Sequence, residues 1–142
     1  MKALYRFLFP LQPAGTGVSL LLLAVRLVFG LLLLSHGLEK WNNFSALSTG
    51  FPAPFGLDTT HALWLILFVE IACSLGFIFG ALYRIVLIPM MLAMATAVFV
   101  VHGADAFRAK ELALVYLVVF IVMYIAGPGK YSVDRYLAVR VS

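Results

Sequence analysis

The sequence specifies an all-α membrane protein, an antiparallel bundle of four transmembrane helices with short amphipathic segments at both ends. Three features carry that expectation. Of the 142 residues, 64% are hydrophobic and only 11% are charged, with a mean hydropathy of +1.08. A soluble domain of this length cannot cover so much apolar surface, so lipid is the solvent for most of it. Four apolar stretches approach the length of about 20 residues that a hydrocarbon core of about 30 Å requires. Nearly all the lysines and arginines stand at the ends of those stretches, where a membrane protein places them.

The spans are expected at 18–38, 62–82, 85–102 and 111–127, within a single domain covering 1–142. Before the first, "FPLQPAGTG" breaks any helix, and "MKALYRFLF" spaces Leu4, Phe7 and Leu8 along one face of a short surface helix. The first span is longer than the 7–15 residues, roughly, of a signal-peptide apolar region and is followed by no small-residue cleavage site, so it is expected to remain in the mature protein. Only Tyr83 and Arg84 separate the second span from the third, which predicts a tight antiparallel hairpin. "GPG" at 127–129 stops the fourth. In "YSVDRYLAVRVS", Ser132 is placed to cap a final helix, with Tyr131 and Tyr136 as interface anchors. The loop 39–61, rich in Phe, Pro and Gly, is expected to lie as a cap over one end.

Lys2, Arg6, Arg84, Lys130, Arg135 and Arg140 fall on one side of the bundle, and Lys40, Arg108 and Lys110 on the other. The positive-inside rule then puts both termini and the second hairpin turn in the cytoplasm. The single cysteine, Cys73, lies within an apolar segment and excludes thiol–disulfide exchange by the chain's own cysteines. No basic run or aromatic motif marks a nucleic-acid surface. No serine or cysteine has a base beside it in sequence, and no glycine-rich phosphate loop is present.

Two ionisable residues lie within apolar spans: Arg26 and Glu70. A charge inside the bilayer normally faces the bundle interior and finds a partner. Arg26 lies about 12 Å along its helix from one membrane face, and Glu70 about 18 Å from that same face along an antiparallel helix. An arginine stem spans the gap of about 6 Å, so an Arg26–Glu70 ion pair is expected. Such a pair either fixes helix register or lines a polar pocket. Arg26, Gly30, Leu33, Gly37 and Lys40 form one helical stripe, whose glycines admit a neighbouring backbone. Glu70, Cys73 or Ser74, Phe77 and Ala81 form the matching stripe.

At the opposite end His36, Glu39, Lys40, His61, His102, Asp105, Arg108, Lys110 and Glu111 gather at one level. No H-x-x-x-H or E-x-x-H spacing supports a metal there, and no metal is assigned. A quinone headgroup fits better, because it needs one or two donors beside apolar walls. The candidate ligand-binding residues are Arg26, His36, Lys40, Glu70, His102, Lys110, Glu111 and Tyr116. For any single histidine the plain alternative is a side chain that snorkels to the interface.

Three stretches carry a family resemblance: "RLVFGLLLLSHGLEK", "VEIACSLGFIFGALYR" and "KELALVYLVVFIVMYIAGPGKYSVDRYL". Together they resemble the DoxX family of small four-span bacterial membrane proteins, and the last is the most specific. The matching positions are Arg26, His36, Lys40, Glu70, Arg84, Lys110, Glu111, Tyr116, Ser132 and Asp134. The resemblance implies association with a terminal quinol oxidase and thiosulfate:quinone oxidoreductase, or with a redox-homeostasis complex that has soluble partners. It supplies no established catalytic residue. Glu70 and Arg84 are expected to matter for the fold, and His36, Lys40, Lys110 and Glu111 for a ligand. Two functional readings stand side by side: a quinone- or lipid-binding subunit of a membrane redox system, and a non-catalytic subunit that assembles with a soluble redox protein or with further copies of itself. A proton or solute carrier ranks below both, because four helices of this length leave little room for alternating access.

Overall fold

The computed structural model describes residues 15–141. The amphipathic N-terminal segment expected at 1–9 lies outside them. The helices are α1 (Thr16–Asn42), a single turn α2 (Phe44–Leu47), α3 (Thr59–Phe79), α4 (Tyr83–Val101), α5 (Phe107–Ala126) and α6 (Val133–Val141). A 3₁₀ turn, Pro54–Gly56, lies in the loop between α2 and α3. Helices α1, α3, α4 and α5 are each long and apolar enough to cross a membrane. The four-span bundle is therefore as expected.

The boundaries move for local reasons. The side chain of Asp58 accepts a hydrogen bond from the Thr60 amide at 3.1 Å, which starts α3 three residues before the expected Ala62. Gly80, at φ 66°, ends it in the left-handed cap that helices commonly use. The turn is thus residues 80–82, and Tyr83 and Arg84 begin the next helix instead of forming the break. Leu82 also has a positive φ, 48°, a strained conformation for a branched side chain. Its amide and that of Tyr83 are both held by Asp134, at 2.9 and 2.8 Å. Gly127 closes α5, and Ser132 Oγ accepts from the Arg135 amide at 3.2 Å, the expected cap of α6.

Helix α1 packs along α3, and α4 along both α3 and α5. The α1 stripe is buried as its spacing requires: Ser19, Leu22, Arg26, Gly30, Leu33 and Gly37. A Cβ on Gly37 would stand 2.9 Å from Glu70 Cβ and 3.1 Å from the Glu70 carbonyl carbon, so this glycine is what lets the two backbones approach. Gly30 faces Ile78 in the same manner. These two contacts fix the register of α1 on α3. Phe77, Tyr83, Leu87, Met90 and Phe120 fill the core, with Phe77 stacked on Tyr83 at 5.7 Å. Outward-facing leucines, isoleucines and phenylalanines are widely exposed along all four spans, Ile125 to 74% and Phe99 to 70%. Apolar surface on that scale is a lipid-facing surface.

Two helices depart from regular α geometry. Residues Phe68–Cys73 of α3 and Ala97–Val101 of α4 are π-helical. Such bulges insert a residue into the helical ladder and re-aim the side chains they carry. The bulge in α3 contains Glu70.

Candidate functional site

The polar groups inside the bundle form two separate centres. The first surrounds Arg26, which is 1% exposed. Its guanidinium donates to four carbonyls: Phe77 (3.0 Å), Ile78 (2.6 Å), Pro128 (2.9 Å) and Tyr131 (2.7 Å). Phe77 and Ile78 lie in the last turn of α3, whose carbonyls have no partner within the helix and carry the negative end of its dipole. Pro128 and Tyr131 lie in the loop between α5 and α6. A planar cation with five donors therefore ties one helix end to a loop from the far end of the chain.

Asp134 completes this centre from the other side. It is 3% exposed and accepts from the first amides of α4, while its own amide donates to Gly80 carbonyl oxygen at 3.0 Å. Cation and anion thus bracket one hairpin turn, Arg26 on the closing end of α3 and Asp134 on the opening end of α4. Each has the charge that the local dipole favours. Substituting Asp134 with alanine should cost about 2 kcal/mol, the upper range for a lost helix cap. Asp134→Asn, which keeps one acceptor, should cost less. Denaturant unfolding in one fixed detergent measures both, and an unchanged midpoint for Asp134→Ala would disprove the capping role.

This arrangement corrects the expected Arg26–Glu70 pair. Gly37 lies opposite Glu70, and Arg26 is eleven residues from Gly37, roughly 16 Å at the α-helical rise. An Arg26–Glu70 pair requires both helices to start flush with the membrane faces. In fact α1 has 27 residues and α3 has 21, and α1 runs past the end of α3. Arg26 therefore reaches the hairpin turn and not the middle of α3.

The partner of Glu70 is Lys40, one turn beyond Gly37 on α1. Lys40 Nζ donates to both carboxylate oxygens, at 2.9 and 2.8 Å. The Glu70 side chain is 6% exposed and that of Lys40 26% exposed, so the acid is internal and the base reaches outward. His36, half-buried one turn before Lys40, and Tyr116, 3% exposed on α5, both lie within electrostatic range of Glu70. Their rings meet edge to face at 6.3 Å, and Tyr116 also packs against Phe29 and Phe120. The second centre is therefore Lys40, Glu70, His36 and Tyr116, walled by aromatic rings.

Three other candidates are engaged elsewhere or stand apart. His102 Nδ1 lies 2.8 Å from Asp105 Oδ2, Lys110 donates to Gly103 carbonyl oxygen at 2.9 Å, and Glu111 is exposed. The first ties the α4–α5 loop to itself, and the second ties that loop to the first turn of α5. His61 is exposed and lies 3.4 Å from Asp58. Among the described residues no group of three His, Cys, Asp or Glu side chains is placed to hold a metal ion. Sequence spacing did not reveal the role of Asp134, although the Ser-x-Asp that follows "GPG" was its signal. It also gave no sign that the buried Ser74 hydroxyl would lack a hydrogen-bond partner.

Comparison with known proteins agrees with this architecture. The DoxX family model matches residues 21–103, which include most of α1, all of α3 and α4, and the Lys40–Glu70 pair. A Haemophilus influenzae protein described as uncharacterized is 30% identical over 132 residues, covering 87% of this chain and 86% of its own. No solved structure matches. On its family match and its four-span bundle, the chain belongs to the DoxX family.

Proposed function

We propose that this chain is a quinone-binding subunit of a membrane-associated redox system, seated in a bacterial inner membrane with both termini in the cytoplasm. The observation that supports this reading is the Lys40–Glu70 pair, set in the bundle beside His36 and Tyr116. Ionisable residues inside membrane-spanning helices mark ligand or proton sites. The donor set suits the headgroup. A quinone carbonyl only accepts hydrogen bonds, and two of the three Lys40 protons are directed at Glu70, which leaves a third. The Tyr116 hydroxyl and the His36 ring offer further donors, and Phe29 and Phe120 supply apolar wall. When bound, a quinone would supply the two-electron chemistry. The chain's contribution is to orient the headgroup and to keep a carboxylate beside it.

A non-catalytic assembly subunit is the second reading. It is favoured by the self-sufficiency of the polar groups, since both Glu70 oxygens are engaged by Lys40 and the guanidinium of Arg26 by four carbonyls. Extraction and mass spectrometry of the protein purified from native membranes separate the two. The wild type should carry quinone close to one per chain, and Glu70→Gln several-fold less. Quinone-free wild type would defeat the first reading and leave the second.

A further inference from the structure

The end of the molecule that carries the α3–α4 turn is strongly one-sided in charge. Arg84, Lys130, Arg135 and Arg140 are gathered there. Asp134 is the acid at this end among the described residues, and it is buried and bound to the Leu82 and Tyr83 amides. The opposite end is mixed, with Glu39, Asp58, Asp105 and Glu111 among its cations. The cationic end also holds an amphipathic element. Helix α6 is pinned to the bundle through Asp134 and through Ala138, which is 1% exposed. Its remaining surface combines exposed apolar side chains with exposed base. Val133 and Leu137, four residues apart, lie exposed on one flank. Tyr136 and Arg140, also four apart, are stacked with the guanidinium 4.4 Å from the ring centroid. Lys130 is exposed just before the helix, anchored by its Nζ to Thr16 Oγ1 at 3.1 Å.

We infer that α6 and the residues leading into it form a docking surface for anionic phospholipid headgroups of the bilayer that holds the spans. Lys130, Arg135 and Arg140 face the phosphates, and Val133, Tyr136 and Leu137 enter the interfacial layer. Charge complementarity selects this occupant. Clustered base beside a membrane-spanning helix is drawn to an anionic leaflet, and the attraction fades within a Debye length of the surface. Exposed valine and leucine on the same helix need apolar contact, which acyl chains provide and free phosphate does not. The short pinned helix holds Arg135 and Arg140, and the Thr16 contact holds Lys130 just before it, so the surface is built before lipid arrives. This inference is independent of whether the Lys40–Glu70 centre binds quinone.

The test uses the full chain reconstituted in phosphatidylcholine bilayers with trace spin-labelled phosphatidylglycerol or phosphatidylcholine. The readout is the fraction of each label immobilised at the protein. Wild type should immobilise phosphatidylglycerol several-fold over phosphatidylcholine, with the preference falling toward parity in high salt. Lys130→Gln combined with Arg135→Gln and Arg140→Gln should abolish the preference, and Arg108→Gln at the other end should leave it intact. Millimolar inorganic phosphate should not displace the lipid. Parity in the wild type overturns the inference. So does a preference that survives in the triple variant, one that only Arg108→Gln removes, or one that inorganic phosphate erases. Should the triple variant fail to fold, Arg140→Gln and the wild-type salt series decide, and an unchanged preference in both overturns the inference.

Discussion

Replacing Arg26 with leucine should abolish the stably folded bundle, and lysine at the same position should not restore it. The reason is the number of backbone groups that one side chain serves, of which the Phe77 carbonyl also accepts from the Gly80 amide at 3.3 Å. Four carbonyls from two distant segments accept from it in a site that is 1% exposed. Each hydrogen bond from a charged donor contributes about 1.5–3 kcal/mol, and each buried carbonyl left unsatisfied costs about 1–3 kcal/mol. Even with overlap between these terms, the loss should exceed about 4 kcal/mol, beyond the range of ordinary single substitutions. Lysine fails because its three donors radiate from a point, whereas these four carbonyls are reached from three separate nitrogens, Nε, Nη1 and Nη2, of the guanidinium fork. The loss should appear as aggregation on size exclusion and as a fall in thermal midpoint. A leucine variant within about 1 kcal/mol of wild type, the scale of a single net hydrogen bond, would mean that the clasp is ornamental.

A second consequence tests the register directly. Arg26 and Glu70 are too far apart to share a partner, so their substitutions should add. Sites separated by more than about 10 Å with no common contacts usually combine within about 0.5 kcal/mol. A direct ion pair would give strong coupling instead. Unfolding of Arg26→Gln, Glu70→Gln and the double variant measures this on whichever background retains a folded state.

Four spans were legible in the sequence because lipid imposes a length and a composition that few soluble chains satisfy. The buried stripe of α1 was legible too, since Arg26, Gly30, Leu33 and Gly37 recur at helical spacing and all are buried. Register was not. It depends on how far each helix projects beyond its neighbour, and that follows from the Gly37–Glu70 and Gly30–Ile78 approaches, which need the folded partner. An overhang of a few turns was enough to exchange the partners of both internal charges. Helical spacing puts Lys40 on the α1 stripe and in the polar end cluster, and depth alone pairs Glu70 with Arg26. The helix continues to Asn42, which carries Lys40 into line with the bulge in α3. Asp134 was hidden for a different reason. Its role depends on contact with Leu82 and Tyr83, about fifty positions away, and the Ser-x-Asp after "GPG" marks the residue without naming that partner.

Lys40→Met should be strongly destabilising by itself, and Lys40→Met combined with Glu70→Leu should recover most of the loss. Removing the lysine leaves a carboxylate that is 6% exposed with no cation against it, and breaking a buried pair in this way costs about 3–5 kcal/mol. Removing both charges deletes the penalty as well as the attraction, and well-packed apolar replacements of buried pairs are often neutral or better. The position of the pair sharpens the expectation. Gly37 brings the α1 backbone against Glu70, so there is little room for the carboxylate to turn away. A double-mutant cycle by denaturant unfolding should therefore give a coupling of at least about 2 kcal/mol, within the range for contacting residues. Zero coupling would show that the 2.8 Å contact contributes nothing to stability. The double variant also separates register from ligand binding, because it restores stability while removing the polar headgroup contacts. If it folds like the wild type and carries no quinone, the pair is retained for the ligand and stability does not require it. If it folds and carries quinone at the wild-type level, the pair sets the alignment of α1 on α3 and the headgroup lies elsewhere.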